Sequence, residues 1–213
     1  MKKYLAEFIG TFALVFCGTG AVIVNSLFNN SIGLLGVSVS FGVTITAIVY
    51  VFGSISGAHI NPAVTIALGI RKVISKKEVI GYIVWQILGA LMASGLLKVV
   101  FYNTTTLGET LPTGGVIPSF VLEAVLTFFL MLTILGVSEN KNYSHLLGIV
   151  LGALVMGFIL IAGPISGGSF NPARSLAPLL FTGNMHIAWL YFLAPVIGAI
   201  TANCTWLFIS KEG

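Results

Sequence analysis

Two short motifs stand out in a chain of mostly apolar residues: Asn61-Pro62-Ala63 and Asn171-Pro172-Ala173, 110 residues apart. Each opens a short apolar piece, Pro62 to Ile70 and Pro172 to Phe181, about half the roughly 20 residues that cross a bilayer. Proline at the first helical position gives up an amide that would have no partner anyway. An asparagine before it caps the helix through its side-chain oxygen and keeps an NH₂ donor for other uses. Two such ends brought together would put two positive dipole ends and two amide donors at one place. That combination repels cations and makes a passing hydrogen-bonding molecule accept through its oxygen, which interrupts a proton-conducting chain. A single Asn-Pro is often a plain turn between helices. Two in one repeat frame, each followed by a short apolar segment, point to paired half-helices.

The elements that position them are set by the solvent the composition implies. Of 213 residues, 57% are apolar and 8% charged, with a mean hydropathy of +1.05, against about 25% charged in soluble domains. Apolar stretches of bilayer-crossing length run Tyr4 to Val24, Leu34 to Gly53, Val79 to Phe101, Ile117 to Val137, Leu146 to Gly163 and Ala188 to Ile209. The pattern predicts an all-α membrane protein, six transmembrane helices plus two re-entrant half-helices, in a single domain over 1–213. The stretch from Tyr4 follows Lys2 and Lys3 as a leader's core would, yet the pattern recurs along the chain, so it reads as a first span.

Eight of the ten Lys and Arg are Lys2, Lys3, Arg71, Lys72, Lys76, Lys77, Lys141 and Lys211, all on one side of a six-span arrangement. The opposite connections, Asn25 to Gly33, Tyr102 to Val116 and Thr182 to Ile187, hold none. The basic side, with both termini, is expected to be cytoplasmic, and the short termini read as those of a prokaryotic plasma (inner) membrane protein. Lys98 is expected to snorkel from its helix end. The net charge of +4 therefore reports topology, and no nucleic-acid partner is expected. Cys17 and Cys204 fall in apolar stretches and read as small buried hydrophobes without redox duty.

The chain also repeats, over approximately 1–110 and 111–213. Ala6-Glu7-Phe8-Ile9-Gly10-Thr11-Phe12 echoes Leu122-Glu123-Ala124-Val125-Leu126-Thr127-Phe128, and Ser56-Gly57-Ala58-His59-Ile60-Asn61-Pro62-Ala63 echoes Ser166-Gly167-Gly168-Ser169-Phe170-Asn171-Pro172-Ala173. Three spans per half, an odd number, insert the second copy upside down, and matched interrupted helices then mark a conduction site at the midplane. Irregular backbone at that depth survives only inside protein or against a water-filled cavity. Three charges fall within this apolar frame. Arg174 directly follows the second motif, where an intramembrane charge is functional by default; the alternative is a guanidinium that pairs with a carboxylate or snorkels. Glu7 and Glu123 lie within spans, as proton relays or as structural acceptors.

The paired Asn-Pro-Ala motifs, their Ser-Gly-Ala-His-Ile-Asn-Pro-Ala-Val-Thr and Gly-Gly-Ser-Phe-Asn-Pro-Ala-Arg-Ser surroundings and the repeated Glu-x-x-x-Thr resemble the aquaporin, or major intrinsic protein, family over essentially the whole chain. The resemblance implies a right-handed bundle of six helices, two half-helices meeting at its centre, and a homotetramer in which each protomer holds its own pore. It maps the outer selectivity filter onto Phe41, Ile159, Gly168 and Arg174. It also assigns Glu7 and Glu123 to support of the re-entrant loops, a role favoured here over proton relay. Water-selective members usually carry His where this chain has Ile159 and Cys or Thr where it has Gly168, so the implied filter is wider and more apolar. Glycerol facilitators typically have Asp at the position of Ser175, Pro-Leu at Tyr191-Phe192 and Trp at Phe41. Water together with ammonia, hydrogen peroxide, and glycerol or urea at the margin is the implied solute range.

In such a pore the backbone carbonyls of Gly57, Ala58, His59, Ile60, Gly167, Gly168, Ser169 and Phe170 are expected to form a ladder of acceptors that replaces lost hydration. His59 is expected to pack or bond backbone, with a pH-sensitive gate as the alternative. Gly10, Gly42, Gly57, Gly81, Gly89, Gly152 and Gly157 are read as close-packing positions. No metal-ligand spacing, phosphate loop or paired nucleophile is present in the sequence, so neither an enzyme nor a cofactor is expected. The expected partners are water, small neutral solutes, membrane lipid and further copies of the chain. Two readings from other classes remain: a closed structural membrane tetramer, and an alternating-access carrier, which shares inverted repeats.

Overall fold

The structure is a computed structural model and describes residues 1–210. Six helices are long and apolar enough to cross a membrane: α1 (Lys2–Leu27), α2 (Gly33–Ser56), α4 (Lys76–Val100), α5 (Val116–Glu139), α6 (Leu147–Ser166) and α8 (Ala188–Ile209). Two short ones, α3 (Pro62–Ile70) and α7 (Pro172–Thr182), complete the fold, with single 3₁₀ turns at Ser144–Leu146 and Met185–Ile187. Each observed span lies within three residues of its expected bounds. The half-helices begin at the expected prolines. Lys211, counted above among the basic residues of one face, lies outside the described residues.

Local chemistry explains the ends. Ser75 and Glu78 form a capping box that starts α4. Gly57 and Gly167 sit left-handed at the ends of α2 and α6, at φ 87° and 82°, where a side chain would be strained. The chain then runs without regular structure for five residues to Asn61 and again to Asn171, a reach of at most about 17 Å, or roughly half of a ~30 Å apolar core. From there α3, nine residues long, retraces about 13 Å as a helix. This is how each short helix starts deep and ends at a surface.

Packing follows one scheme in each half. α1 lies along α4, and α5 along α8, while α2 crosses α6 at the join between halves. Glycines allow these close approaches. A Cβ on Gly89 would strike the backbone of Phe8 and Phe12 in α1, and one on Gly198 the backbone of Ala124 and Phe128 in α5. At the α2–α6 crossing a Cβ on Gly42 would lie 2.6 Å from the Gly152 carbonyl oxygen, and one on Gly152 2.5 Å from that of Gly42. The sequence reading missed Gly198, and Gly157 faces open space instead of a neighbouring helix.

The outer belt is apolar, with Ile80, Val99 and Phe208 among its exposed side chains, which inverts the soluble pattern and suits lipid contact. Cys17 and Cys204 are on this exposed surface; the spans are apolar on their outward faces too, so apolar neighbours in sequence do not imply burial, and the expectation of burial is corrected. Lys98 is exposed, its ammonium 5.7 Å from the Phe181 ring centroid.

Candidate functional site

The two half-helices meet N-terminus to N-terminus. Asn61 caps α3 by accepting from the Ala63 amide at 2.9 Å, and Asn171 caps α7 by accepting from the Ala173 amide at 3.0 Å. Each also reaches across to the other half. Asn61 Nδ2 donates to the Phe170 carbonyl at 2.8 Å and Asn171 Nδ2 to the Ile60 carbonyl at 2.7 Å. An amide NH₂ has two hydrogens, so each asparagine keeps one donor beyond this crossed pair. The same bonds use one lone pair each of two carbonyls, those of Ile60 and Phe170, that were expected in the acceptor ladder.

The loops leading to the asparagines are strained and tied from behind. Ala58, Ile60 and Phe170 take positive φ of 48°, 43° and 53°, a left-handed backbone that costs about 1–3 kcal/mol per non-glycine residue. The carboxylate of Glu7 in α1 accepts the His59 amide at 3.0 Å, the Ile60 amide at 2.7 Å, Ser56 Oγ at 2.6 Å and Gln86 Nε2 at 2.8 Å. Glu123 in α5 accepts the Ser169 amide at 2.9 Å, the Phe170 amide at 2.6 Å and Ser166 Oγ at 2.7 Å. Hydrogen bonds to charged groups contribute about 1.5–3 kcal/mol each, enough in sum to hold the strain. Tyr82 and Tyr191 add a clamp by donating to the carbonyls of Ser56 at 2.8 Å and Ser166 at 2.7 Å. Both carboxylates are fully buried and spent on loop support.

Two cavities approach this centre from opposite ends. The inner one, so labelled for the end of the bundle that carries Val73 and His145, has a volume of about 510 Å³ and is lined by these two and by Gly57, Ala58, His59, Ile60, Asn61, Gly168, Ser169, Phe170 and Asn171. The outer one, of about 490 Å³, is lined by Asn25, Glu109, Thr113 and Gly167 among others. Phe41, Ile159 and Arg174 are walls of both. They form the partition, and Gly168 leaves it without a side chain on one side. Arg174 is 2% exposed. Its Nη1 donates to the Gly108 carbonyl at 2.7 Å, its guanidinium carbon stands 5.2 Å from the Phe41 ring centroid, and Nε has no protein partner. Among the described residues it pairs with no carboxylate, so the pairing alternative does not hold.

A model of the family described as "MIP: Major intrinsic protein" matches residues 1–206. The chain belongs to the major intrinsic protein family. Among curated relatives it is 39% identical over 210 residues to Nodulin-26 of Glycine max, covering 98% of this chain and 77% of that one. It is 41% identical over 202 residues to Aquaporin NIP1-1 of Zea mays, covering 94% and 72%. It is 41% identical over 210 residues to Glycerol uptake facilitator protein-like 6 of Lactiplantibacillus plantarum, covering 95% of each. Among solved structures, the aquaglyceroporin from Plasmodium falciparum superimposes with a TM-score of 0.88 at 24% identity over 99% of this chain and 96% of that one, which shows the fold. Members of the family are channels, not enzymes.

Several residues that shape this site were given no structural role from the sequence. Ser56 and Ser166 bond the buried carboxylates, Tyr82 and Tyr191 clamp the loop carbonyls, and Gln86 and Thr65 complete a polar chain behind His59. The repeat offered a signal for the first four, since serine and tyrosine recur in matched positions of the two halves. Gln86 carried no such signal, because Pro195 stands where the second half would repeat it in the register set by Tyr82 and Tyr191. Gly108 was unreadable for another reason: it contributes a backbone carbonyl from a connecting loop.

Proposed function

We propose that this chain is a passive channel for water and small uncharged solutes that holds back protons and ions. One observation carries this reading: two half-helix ends meet in the protein interior, each with a free amide hydrogen, at the head of cavities that open toward opposite ends of the bundle. Phe41, Ile159, Gly168 and Arg174 act as the selectivity filter. Arg174 repels cations and offers donors, Phe41 sets one hard wall, and the Ile159 and Gly168 walls admit solutes wider than water. The two asparagines orient each passing water oxygen-first and break the proton chain. The remaining loop carbonyls replace hydration on the way.

The solute range is water with ammonia and hydrogen peroxide, and glycerol or urea more slowly. The relative from L. plantarum carries a glycerol facilitator's name, but Ser175, Tyr191-Phe192 and Phe41 depart from the residues that glycerol facilitators typically carry at those positions, so a dedicated glycerol channel is not favoured. The protein works as a homotetramer in the plasma membrane, the assembly that the family resemblance implies, with both termini cytoplasmic, an orientation supported by the clustering of lysine and arginine on one face.

The test is reconstitution in liposomes, with osmotic shrinkage measured beside glycerol, urea and ammonia uptake and proton leak. Fast water flux, linear in the gradient and without proton leak, is expected. Saturating flux would favour a carrier, and no flux above empty liposomes a closed structural tetramer. Ile159→His combined with Gly168→Thr should lower glycerol and urea entry relative to water; unchanged ratios would remove both positions from the filter.

A further inference from the structure

Behind the first loop lies a chain of side chains whose hydrogens can be assigned one by one. Backbone amides only donate, so the Glu7 oxygens bonded to the amides of His59 and Ile60 are acceptors. The remaining partner on that side is Gln86 Nε2, which lies 2.8 Å from Glu7 Oε2 and 2.9 Å from Thr65 Oγ1. An amide nitrogen has two hydrogens, and both are now used. Thr65 Oγ1 therefore accepts, and its own hydrogen must go elsewhere. Thr65 is fully buried, and its other partner among the described residues is His59 Nδ1, at 3.2 Å.

We infer that Thr65 and Gln86 are positioning residues that fix His59 as the neutral Nε2–H tautomer, so that the first loop presents a hydrogen-bond donor to the lumen on the side of the asparagine pair away from Arg174. Nδ1 accepts from Thr65, and in a neutral imidazole the proton then sits on the other nitrogen. Nε2 takes no protein acceptor and is not sealed off; it lies over Gly57, which lines the inner cavity as His59 does. The ring is held edge-on to Tyr82 with centroids 5.0 Å apart, which resists its turning over. The opposite assignment either leaves Thr65 accepting from both Gln86 and Nδ1–H with its own buried hydrogen unpartnered, or needs the Gln86 amide reversed and Glu7 protonated despite its backbone donors; both turn His59 into an acceptor at the lumen. The second loop has no such device. Ser169 replaces the histidine, and its hydroxyl donates to the Asn171 carbonyl at 3.0 Å. The lumen role rests on the channel reading above; the tautomer does not.

The experiment is nitrogen NMR on full-length protein labelled with ¹⁵N-histidine in lipid bilayers, beside osmotic water flux. His59 is expected as neutral Nε2–H in the native protein, as a mixture of tautomers in Thr65→Val, and as Nε2–H again in Thr65→Ser. Water flux should fall roughly two- to tenfold in Thr65→Val, the scale of one net hydrogen bond at the barrier, and return in Thr65→Ser. A native Nδ1–H signal, or an unchanged tautomer in Thr65→Val, would overturn the inference. Finding Nε2–H in a protein that passes no water would uphold the positioning and sink the channel reading instead.

Discussion

The two re-entrant loops share a backbone and differ in what they carry. Both leave a left-handed glycine, both are held by a buried glutamate from the first helix of their half, and both are clamped by a tyrosine from the last. Glu7 serves four donors and Glu123 three. Around these common supports the polar residues diverge. The first loop has His59, Thr65 and Gln86, and the second has Ser169, bonded to Ser175, which Thr110 joins at 2.7 Å. The proposed filter positions diverge most. Counterparts of Phe41, Ile159, Gly168 and Arg174 in the other half are Leu151, Val49, Ala58 and Val64, which all line the inner cavity and are all apolar. Residues that repeat satisfy the backbone; residues that break the repeat put charge and aromatic bulk at one end of the passage.

That contrast can be broken at its supports first. Glu7→Leu and Glu123→Leu each strand buried amide donors at about 1–3 kcal/mol apiece, so both should lose most folded protein in detergent. Thermal melts should place Glu7→Leu below Glu123→Leu, because it strands one more donor; the reverse order would show that the number of donors does not rank the two supports.

Next in size are the helix crossings. Gly89→Ala and Gly198→Ala each push a methyl into backbone, with Phe128 N 2.9 Å away in the second case and Phe12 N 3.1 Å in the first. Each should cost about 1–3 kcal/mol by melting in the same detergent. A neutral result at either site would show that its helix pair can separate freely.

Arg174→Val makes the outer ring resemble its inner counterpart. Proton or cation conductance should rise about tenfold, equivalent to ~1.4 kcal/mol of barrier, with water flux kept. Liposome leak assays that detect no change would shift ion rejection to the asparagine pair alone.

The smallest effect separates the two surface ion pairs. Arg71 pairs with Glu139 at 2.6 Å with its side chain 15% exposed, whereas Lys3 is 55% exposed in its 2.9 Å contact with Glu78. Glu139 also accepts Trp206 Nε1 at 2.8 Å, tying the end of α3 to α5 and α8. Arg71→Ala should lower stability by about 1 kcal/mol, while Lys3→Ala should leave the melting curve unchanged. Equal responses would show that this anchoring of α3 adds nothing.

Much of the architecture was readable because it rests on period and punctuation. Hydrophobic length marked the six long helices, and proline after asparagine marked where α3 and α7 begin. The repeat located both glutamates. Packing of the glycines was only partly readable: Gly157 and Gly198 look alike in sequence, and only the neighbouring helix decides which one meets backbone. For the cysteines, apolar surroundings could not say which helix face they occupy.

By itself the sequence determined the solvent of this protein, the number of its spans, the two capped stubs and the intramembrane charges, because each follows from local composition or from bonds within a few residues. Tertiary structure alone decided that Asn61 and Asn171 bond each other's loops, that Arg174 leans on the Gly108 carbonyl and that Gln86 reaches Thr65. Those contacts join residues from 21 to 111 positions apart. No local pattern encodes such pairs; they form when the helices, packed through their glycines, bring the partners within hydrogen-bond range.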